Sequence, residues 1–396
     1  MTQPGLYIHI PFCKKKCDYC DFASVPIDAA ADALIDEYLT AMQNEMGHVR
    51  AIHELPLTFS TIFIGGGTPT ILNEDQLIRL SGMIHPLCLS PLARGRCPEQ
   101  KRGTEGVEFT IEGNPDSITL EKLKLLRDFG VSRLSIGAQS FNNDELKTLG
   151  RIHNSKQIFE AFKNARNAGF ENINIDLIFG IPGQTLESWK ITLDIAIELG
   201  PGHLSCYGLQ IEEGTPFYER YINYDLDGQY EMYKHTIDFL KSQGYHHYEI
   251  SNFAKPGFEC KHNINYWKNG NYLGIGASAA SHMDGKRWEN PKDIKEYMDQ
   301  YPLSASGGVS PLLRGRQREA QRGSIEITGT ILMNLRLLEG IDLAQFEKRF
   351  GKTINSLYDK EIGELISLGL LEIKSGRMRL AEKGLYLGNK VFASFV

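Results

Sequence analysis

Three cysteines, Cys13, Cys17 and Cys20, are the residues best suited to chemistry. They are spaced C-x3-C-x2-C within the segment YIHIPFCKKKCDYCDF, which begins at Tyr7. Zinc sites usually take four ligands in two separated pairs, and a cubane [4Fe–4S] cluster usually takes four thiolates. Three close thiols without a fourth predict a [4Fe–4S] cluster in which one iron is left open to a substrate or cofactor. Free thiols or a partial zinc site are the alternative.

Composition limits the classes of protein to which the chain can belong. It has 396 residues, of which 41% are hydrophobic, and its 43 basic and 49 acidic residues give a net charge of −6. This balance argues against a protein that acts mainly on nucleic acid or on anionic membranes. We find neither a signal-peptide pattern nor a membrane-spanning apolar run, and therefore expect a cytoplasmic protein with reduced thiols. Cys88 and Cys97 are expected to be free and Cys206 to lie in the core.

Short β-type runs alternate with helical patterns in the first half of the chain. The predicted strands are 6–10, 60–64, 108–112, 133–137, 172–176 and 203–207, and the predicted helices are 29–49, 74–84, 120–129, 156–167 and 186–199. Repeated strand–helix units predict an α/β fold with a partial (β/α)6 barrel. Glycine and polar residues follow the strands, at the end where such barrels build their active sites.

The pattern also predicts how the rest of the chain is divided. We expect the barrel in residues 1–227, a barrel extension in 228–309 and a winged-helix-like α+β domain in 324–396. Residues 325–396 carry ten basic and nine acidic residues, a net charge of +1. DNA-binding winged helices usually have a basic stripe. The domain is therefore expected to be a structural cap or a protein-contact module.

One segment occurs twice, as SPLARGRCPEQKRG at 90–103 and SPLLRGRQREAQRG at 310–323, with nine of fourteen positions identical. Both copies are rich in arginine and interrupt periodic sequence. We interpret them as insertions into surface loops, at about 88–106 and at 310–323, where added length costs little conformational entropy. Basic patches for a partner or a membrane are the alternative.

Five further motifs agree with the cysteine pattern: GGGTPT from Gly65, TIEGNPD from Thr110, SIGAQSF from Ser135, LGRIH from Leu149 and NIDLIFGIPGQT from Asn174. Together they resemble the radical S-adenosylmethionine (radical SAM) superfamily, in the branch of the oxygen-independent coproporphyrinogen oxidases and the haem chaperones. The resemblance implies that SAM is held through the backbone of the glycine loop, the strand-end polar groups, an arginine for the SAM carboxylate and two aromatic residues. The matching positions are Tyr7, Tyr19, Gly66, Gly67, Thr68, Glu112, Gln139, Arg151, Asp176 and Gln210.

Three features favour a haem chaperone over an oxidase. Phe22 stands where the resembling oxidases have a fourth cysteine, and twelve residues precede Cys13 instead of their long N-terminal segment. HNINYW, from His262, matches the H-N-x-x-Y-W haem-binding motif of the chaperones. The resemblance thus implies His262 as a haem ligand, whereas from chemistry alone a loop histidine bonded to the backbone is the simpler interpretation. Cys260 and His282 are further candidates.

The expected cofactors are a [4Fe–4S] cluster, SAM and haem. The expected partners are haem as cargo and a haem-accepting client, such as a respiratory haem protein. We expect neither nucleic-acid binding nor an integral membrane segment, with peripheral membrane contact only through the client. Two enzymes are the alternatives: a coproporphyrinogen III dehydrogenase that oxidatively decarboxylates its substrate with SAM, and a SAM-dependent methyltransferase or other radical enzyme built on the same barrel.

Overall fold

The computed structural model describes residues 3–28, 31–52, 58–88, 107–220, 225–302 and 319–396. Its strands are β1 (Gly5–Ile10), β2 (Phe12–Cys13), β3 (Val25–Pro26), β4 (Thr61–Gly66), β5 (Glu108–Gly113), β6 (Arg133–Gln139), β7 (Asn172–Phe179), β8 (His203–Gly208), β9 (His246–Glu249), β10 (Asn252–Ala254), β11 (Tyr272–Ile275), β12 (Ala280–Met283), β13 (Lys286–Glu289), β14 (Ile341–Asp342), β15 (Leu371–Lys374) and β16 (Arg377–Leu380). Its helices are α1 (Asp32–Ile52), α2 (Glu74–Cys88), α3 (Leu120–Asp128), α4 (Asn143–Thr148), α5 (Ser155–Asn167), α6 (Leu186–Leu199), α7 (Pro216–Glu219), α8 (Leu226–Ser242), α9 (Lys261–Trp267), α10 (Ile294–Gln300), α11 (Glu319–Asn334), α12 (Leu343–Phe350), α13 (Ile354–Ser367), α14 (Glu382–Tyr386) and α15 (Gly388–Ala393).

One large sheet organises the molecule, with strand order β13-β12-β11-β1-β4-β5-β6-β7-β8-β10-β9. The neighbours from β11 to β8 run parallel, and helices connect the strands β1 and β4 to β8 in chain order. Strands from after residue 228 pair at both edges, β9 and β10 beside β8 and β11 to β13 beside β1. The α/β fold with a partial six-unit barrel is confirmed.

The two faces of the parallel strands differ in polarity because side chains alternate along a strand. In β5, Phe109 and Ile111 belong to the hydrophobic core under the helices. The intervening residues of β5, Glu108, Thr110 and Glu112, point to the opposite face, which is the interior of the barrel. The barrel interior is therefore polar, and its acidic and hydroxyl groups must find partners within it.

Side-chain caps fix where the predicted helices begin. Asn73 precedes α2, and its Oδ1 accepts from the backbone N–H of Gln76 while the Gln76 side chain accepts from the N–H of Asn73. Asn154 and Gln157 form the same reciprocal pair before α5. Such caps satisfy backbone donors that the first helical turn leaves open. The strand ends that these helices follow are thereby held in place.

The C-terminal part packs around its own core, which includes Phe346, Ile362, Leu365 and Met378. Helices α11 to α13 share this domain with the small sheet β14-β16-β15, in which β14 lies between α11 and α12 and the hairpin β15-β16 follows α13. The winged-helix-like α+β domain is confirmed. The loop expected at 310–323 is wrong for 319–323, because α11 begins at Glu319 and extends into the repeat. The rest of that copy and the whole first copy lie outside the described residues.

No helix in the described part of the chain is both long and apolar enough to cross a bilayer.

Candidate cofactor site

The three predicted metal ligands lie together beyond the carboxyl end of β1. Cys13 ends β2, and Cys17 and Cys20 follow in the next turn and line one cavity with it. All three are free thiols. Phe12 anchors the loop, because its buried ring packs edge-on against Tyr38 with 5.3 Å between ring centroids.

Two thiol sulfurs accept hydrogen bonds from neighbouring elements. Thr68 Oγ1 donates to Cys13 Sγ at 3.4 Å, and Arg151 Nη1 donates to Cys17 Sγ at 3.4 Å. Burial raises the pKa of Cys13, and it raises the pKa of Cys20 to about 11. A metal cluster must therefore displace the thiol protons, and the donors from Thr68 and Arg151 are already aimed at the sulfurs that would carry negative charge.

The donor set suits an iron–sulfur cluster better than a single ion. Within the described ranges, no three His, Cys, Asp or Glu side chains converge on one point where a single metal ion could sit. The thiolates of a cubane each bind a different iron, so they need not converge in this way. Lys14 forms an ion pair with Asp116 at 3.0 Å, and the charge of Lys16 opposes part of the rise that burial causes in the pKa of Cys20.

The glycine loop after β4 packs directly on the cysteine loop. Gly66 has φ +110°, and a Cβ there would lie 2.7 Å from the ring of His9. A Cβ on Gly67 would lie 2.6 Å from Phe12 O and 3.0 Å from Cys13 Sγ. Only glycine fits this contact, in which the N–H groups of Gly67 and Thr68 donate to Ile10 O and Phe12 O, both at 2.8 Å.

A hydrogen-bonded chain joins the predicted arginine to the glycine loop through Asn114. Arg151 Nη2 donates to Asn114 Oδ1 at 2.7 Å and to Gly137 O at 2.8 Å, while Asn114 Nδ2 donates to Thr68 Oγ1 at 2.9 Å. Sequence reasoning did not select Asn114. Its position directly after β5, within TIEGNPD, was the available signal.

Arg151 also keeps donor capacity, because its buried Nε has no hydrogen-bond partner among the residues that the structure describes. An unpaired guanidinium N–H on a side chain that lines the same cavity as the thiols can bind a carboxylate ligand. The three thiols, the glycine loop and the Arg151 Nε donor together suit a cluster and the amino-acid end of SAM.

Two carboxyl groups, Glu112 on β5 and Asp176 on β7, face the cavity from either side of β6. Burial, with a further contribution from Asp176, raises the pKa of Glu112 to about 8. Burial also raises the pKa of Asp176, although Ser135 and Asn174 donate to its oxygens at 2.9 and 2.8 Å. Glu112 accepts one bond, from the N–H of Gly66 at 3.3 Å, and so keeps acceptor capacity for hydroxyl groups such as those of a ribose.

The structure brings most of the predicted SAM positions to one cavity. Those lining it are Tyr19, Gly66, Gly67, Thr68, Glu112, Gln139, Arg151, Asp176 and Gln210. Gln139 has φ +69°, at an irregularity in the pairing of β6 with β7 that places its side chain at the strand end. Tyr7 is not among the lining residues, and its hydroxyl is hydrogen-bonded to His9 Nδ1 at 2.9 Å. It borders the site through His9.

The cavity, of about 580 Å³, continues from the thiol loop to the C-terminal domain. Beyond β8 its lining includes the polar side chains of Gln229 and Ser251 and a group that we call the inner lobe: Tyr233, Ile250, Arg336, Leu385, Tyr386 and Leu387. Leu226 and Phe22 lie at exposed positions on its wall, and Phe22 is 62% exposed. The cavity thus combines a polar end at the thiols with a largely apolar, aromatic end.

His262, the predicted haem ligand, lies at the opposite end of the strands. It is fully buried in α9, and Nδ1 is 2.8 Å from the Oγ1 of Thr61, the first residue of β4. The thiol loop lies beyond Gly66, the last residue of β4, about 16 Å away along the strand. Burial lowers the pKa of His262 to about 3, and Nε2 has no partner among the described residues.

The other two haem candidates are buried near the same segment. Glu108 accepts from the backbone N–H groups of Lys261 and His262 at 3.1 and 3.0 Å, and Cys260 Sγ lies 3.6 Å from it. Ring contacts connect His262 through Tyr266 and Tyr272 to His282. Glu108 therefore fastens the start of α9 to the end of the barrel. Cys206 lies in the core, as expected, and also borders the cavity.

Comparisons with known proteins agree over the whole chain. The model of the Radical SAM superfamily matches residues 7–196, and that of the HemN C-terminal domain matches residues 326–387. A protein named heme chaperone HemW from Bacillus subtilis is 38% identical over 98% of each chain. The protein of that name from Escherichia coli is 32% identical over 99% of this chain and 98% of its own. Coproporphyrinogen III oxidase (HemN) from Escherichia coli, a radical SAM enzyme, superimposes with a TM-score of 0.79 at 26% identity, covering 99% of this chain and 90% of its own.

Proposed function

Because the chain belongs to the HemW family of haem chaperones in the radical SAM superfamily, we propose that it binds haem and delivers it to a haem-requiring client, such as a respiratory protein. Membership of the superfamily implies a [4Fe–4S] cluster and SAM. When bound, these supply a one-electron donor and a cleavable sulfonium. The observation that carries the haem assignment is the full-length similarity to chaperones, with HNINYW and Phe22 at the discriminating positions.

In this proposal the residues of the cavity have separate binding roles. Cys13, Cys17 and Cys20 hold three irons, and Arg151 and Thr68 donate to two of their sulfurs. The backbone at 66–68 and the guanidinium of Arg151 orient the amino-acid end of SAM. The other assigned SAM contacts are Tyr7, Tyr19, Glu112, Gln139, Asp176 and Gln210. The reduced thiols that the cluster requires fit a cytoplasmic protein.

In this proposal His262 is a haem ligand whose ring must first leave its buried position in α9. Its ring is enclosed by Phe63 and Tyr266, with centroid separations of 5.2 and 4.7 Å, and is bonded to Thr61. An iron–imidazole bond needs the porphyrin plane within about 2 Å of the nitrogen, a distance typical of metal–imidazole ligation. Ligation by His262 would therefore require its ring to leave the contacts with Phe63 and Thr61.

Two assays test the function. Purified protein titrated with haem should develop a shifted Soret band, and the shift should weaken in His262→Ala and persist in the control His48→Ala, whose histidine lies on α1. The protein should form no protoporphyrinogen during anaerobic incubation with coproporphyrinogen III, SAM and reductant. Formation of protoporphyrinogen at enzymatic rates would contradict the chaperone function and favour the dehydrogenase. The structural similarity to HemN agrees with that alternative.

A further inference from the structure

The inner lobe contains a cation whose hydrogen-bonding capacity the fold leaves unused. Arg336 follows α11 and lines the cavity beside Ile250, and its backbone carbonyl accepts from the N–H of Ile250 at 3.1 Å. Its Nε is buried without a hydrogen-bond partner among the described residues. Buried guanidinium donors are normally paired, since an unpaired one costs free energy. The side chain is thus a candidate for an anionic ligand.

Two aromatic rings fix the orientation of this guanidinium. The Arg336 Cζ lies 4.5 Å from the ring centroid of Trp267 and 5.6 Å from that of Phe392. Asn334 donates to the carbonyl of Trp267 at 2.8 Å and so ties α9 to the end of α11. Cation–π contacts hold an arginine in place without using its N–H groups. The Nε donor therefore has no partner among the described residues while the side chain is held.

Glu249, an acidic side chain that interacts with Arg336 through its charge, forms no hydrogen bond with it among the described residues. Burial raises the pKa of Glu249, an effect that Arg336 opposes through charge alone. Glu249 Oε1 accepts from the N–H of Ser251 at 2.9 Å. Glu249 thus faces Arg336 as a charge partner without using the Nε–H of Arg336, which leaves that donor to a ligand.

The walls around Arg336 define the rest of that ligand. Tyr233 and Tyr386 lie with ring centroids 6.0 Å apart, and Ile250, Leu385 and Leu387 complete an apolar surface. Flat apolar walls with one fixed cation suit a planar macrocycle that carries carboxylate side chains. The SAM carboxylate is accounted for at the other end of the cavity by Arg151.

We infer that Arg336 binds a propionate carboxylate of a tetrapyrrole whose edge occupies the inner lobe, and that Trp267 positions the guanidinium for it. This inference rests on the proposed function, since haem is the tetrapyrrole. It assigns the tryptophan of the HNINYW segment a place directly behind the cavity wall. It also identifies the propionates as the groups by which this end of the cavity recognises its ligand.

The test compares haem with haem dimethyl ester, in which both propionates are neutral. The reconstituted full-length protein is titrated anaerobically with each, and the Soret band is followed. A charge-assisted hydrogen bond predicts that the wild-type protein binds haem at least about tenfold more tightly than the ester. Arg336→Gln should bind the two equally, and Arg336→Lys should recover part of the preference. Arg349→Gln, whose arginine pairs with Glu326 at 2.9 Å, should behave as wild type.

The outcomes separate the inference from the function on which it rests. A wild-type protein that binds haem and ester equally, or an Arg336→Gln protein that keeps the wild-type preference, overturns the inference alone. A wild-type protein that binds neither compound overturns the haem function as well. SAM affinity should be unchanged in Arg336→Gln, and a parallel loss of SAM would mean that Arg336 serves SAM instead. The comparison of haem with ester in the wild type needs no variant, so it stands even if Arg336→Gln does not fold.

Discussion

Arg151 donates a hydrogen bond to Cys17 although 134 residues separate them in the chain. The arginine follows α4, whereas the cysteine follows β2, and the parallel sheet brings both to the same edge. The bond puts a permanent positive charge against one of the three sulfurs that we assign to the cluster.

Replacing that charge should affect both the cluster and SAM. We expect Arg151→Gln to lower the reduction potential of the reconstituted cluster, because loss of a nearby cation disfavours the more negative reduced state. It should also weaken SAM binding by about tenfold or more through loss of a charge-assisted bond. Redox titration and equilibrium dialysis measure these effects. Arg166→Gln, at the end of α5, serves as the control, and equal behaviour of the two variants would contradict the assignment.

Asn114 should matter although it was not selected from the sequence. Asn114→Ala removes both the acceptor for Arg151 and the donor to Thr68. We expect SAM affinity to fall by about tenfold while iron content stays normal, since the side-chain hydrogen bonds of Asn114 join it to Thr68 and Arg151 and to none of the three described cluster thiols. Iron analysis and dialysis with labelled SAM provide the measurement. Unchanged affinity would show that Arg151 keeps its position without the amide.

The glycine loop offers a steric test with an internal control. Gly67→Ala places a Cβ 2.6 Å from Phe12 O, so the loop must separate from the cysteine segment, and the reconstituted protein should hold less iron and sulfide. Gly47→Ala, in α1, meets nothing within 4 Å and should stabilise the helix by roughly 0.5–1 kcal/mol. Normal cluster content in Gly67→Ala would contradict the close contact.

Glu112 predicts a pH dependence of stability in the cofactor-free protein. Burial raises its pKa to about 8 in the fold, so the folded protein keeps a proton that the unfolded chain loses above the ordinary value of 4.5. Between these values the unfolded state binds fewer protons, and stability falls as pH rises. We expect the melting temperature of Glu112→Gln to rise relative to that of the wild type as the pH increases from 5 to 8. A constant difference across that range would contradict the raised pKa.

Much of the fold could be predicted because its signals are local. Helix α6 occupies the predicted residues 186–199, and the predicted strands lie within β1 and β4 to β8 apart from Ser60 at one end. The gathering of the cysteines and of most residues matched to SAM contacts around one cavity was also predictable, since parallel strands bring their carboxyl ends to one edge.

What could not be predicted depends on contacts between distant elements. Nothing near His262 in the chain indicates that Thr61 and Phe63 would enclose its ring. In the sequence Arg336 is an ordinary arginine near the end of a helix. Only the structure shows that Trp267 and Phe392 pack against it. The helical state of 319–323 was not predicted, because the arginine-rich repeat obscures the helical pattern at the beginning of α11.

The most direct test is electron paramagnetic resonance of the anaerobically reconstituted protein after dithionite reduction, with and without SAM. The account predicts a [4Fe–4S] signal with stoichiometric sulfide, and a change in that signal on SAM addition, because three thiolates leave one iron open to it. Cys17→Ala should lose the signal. A reconstituted wild-type protein with neither sulfide nor a paramagnetic signal, or with a signal that SAM leaves unchanged, would contradict the account.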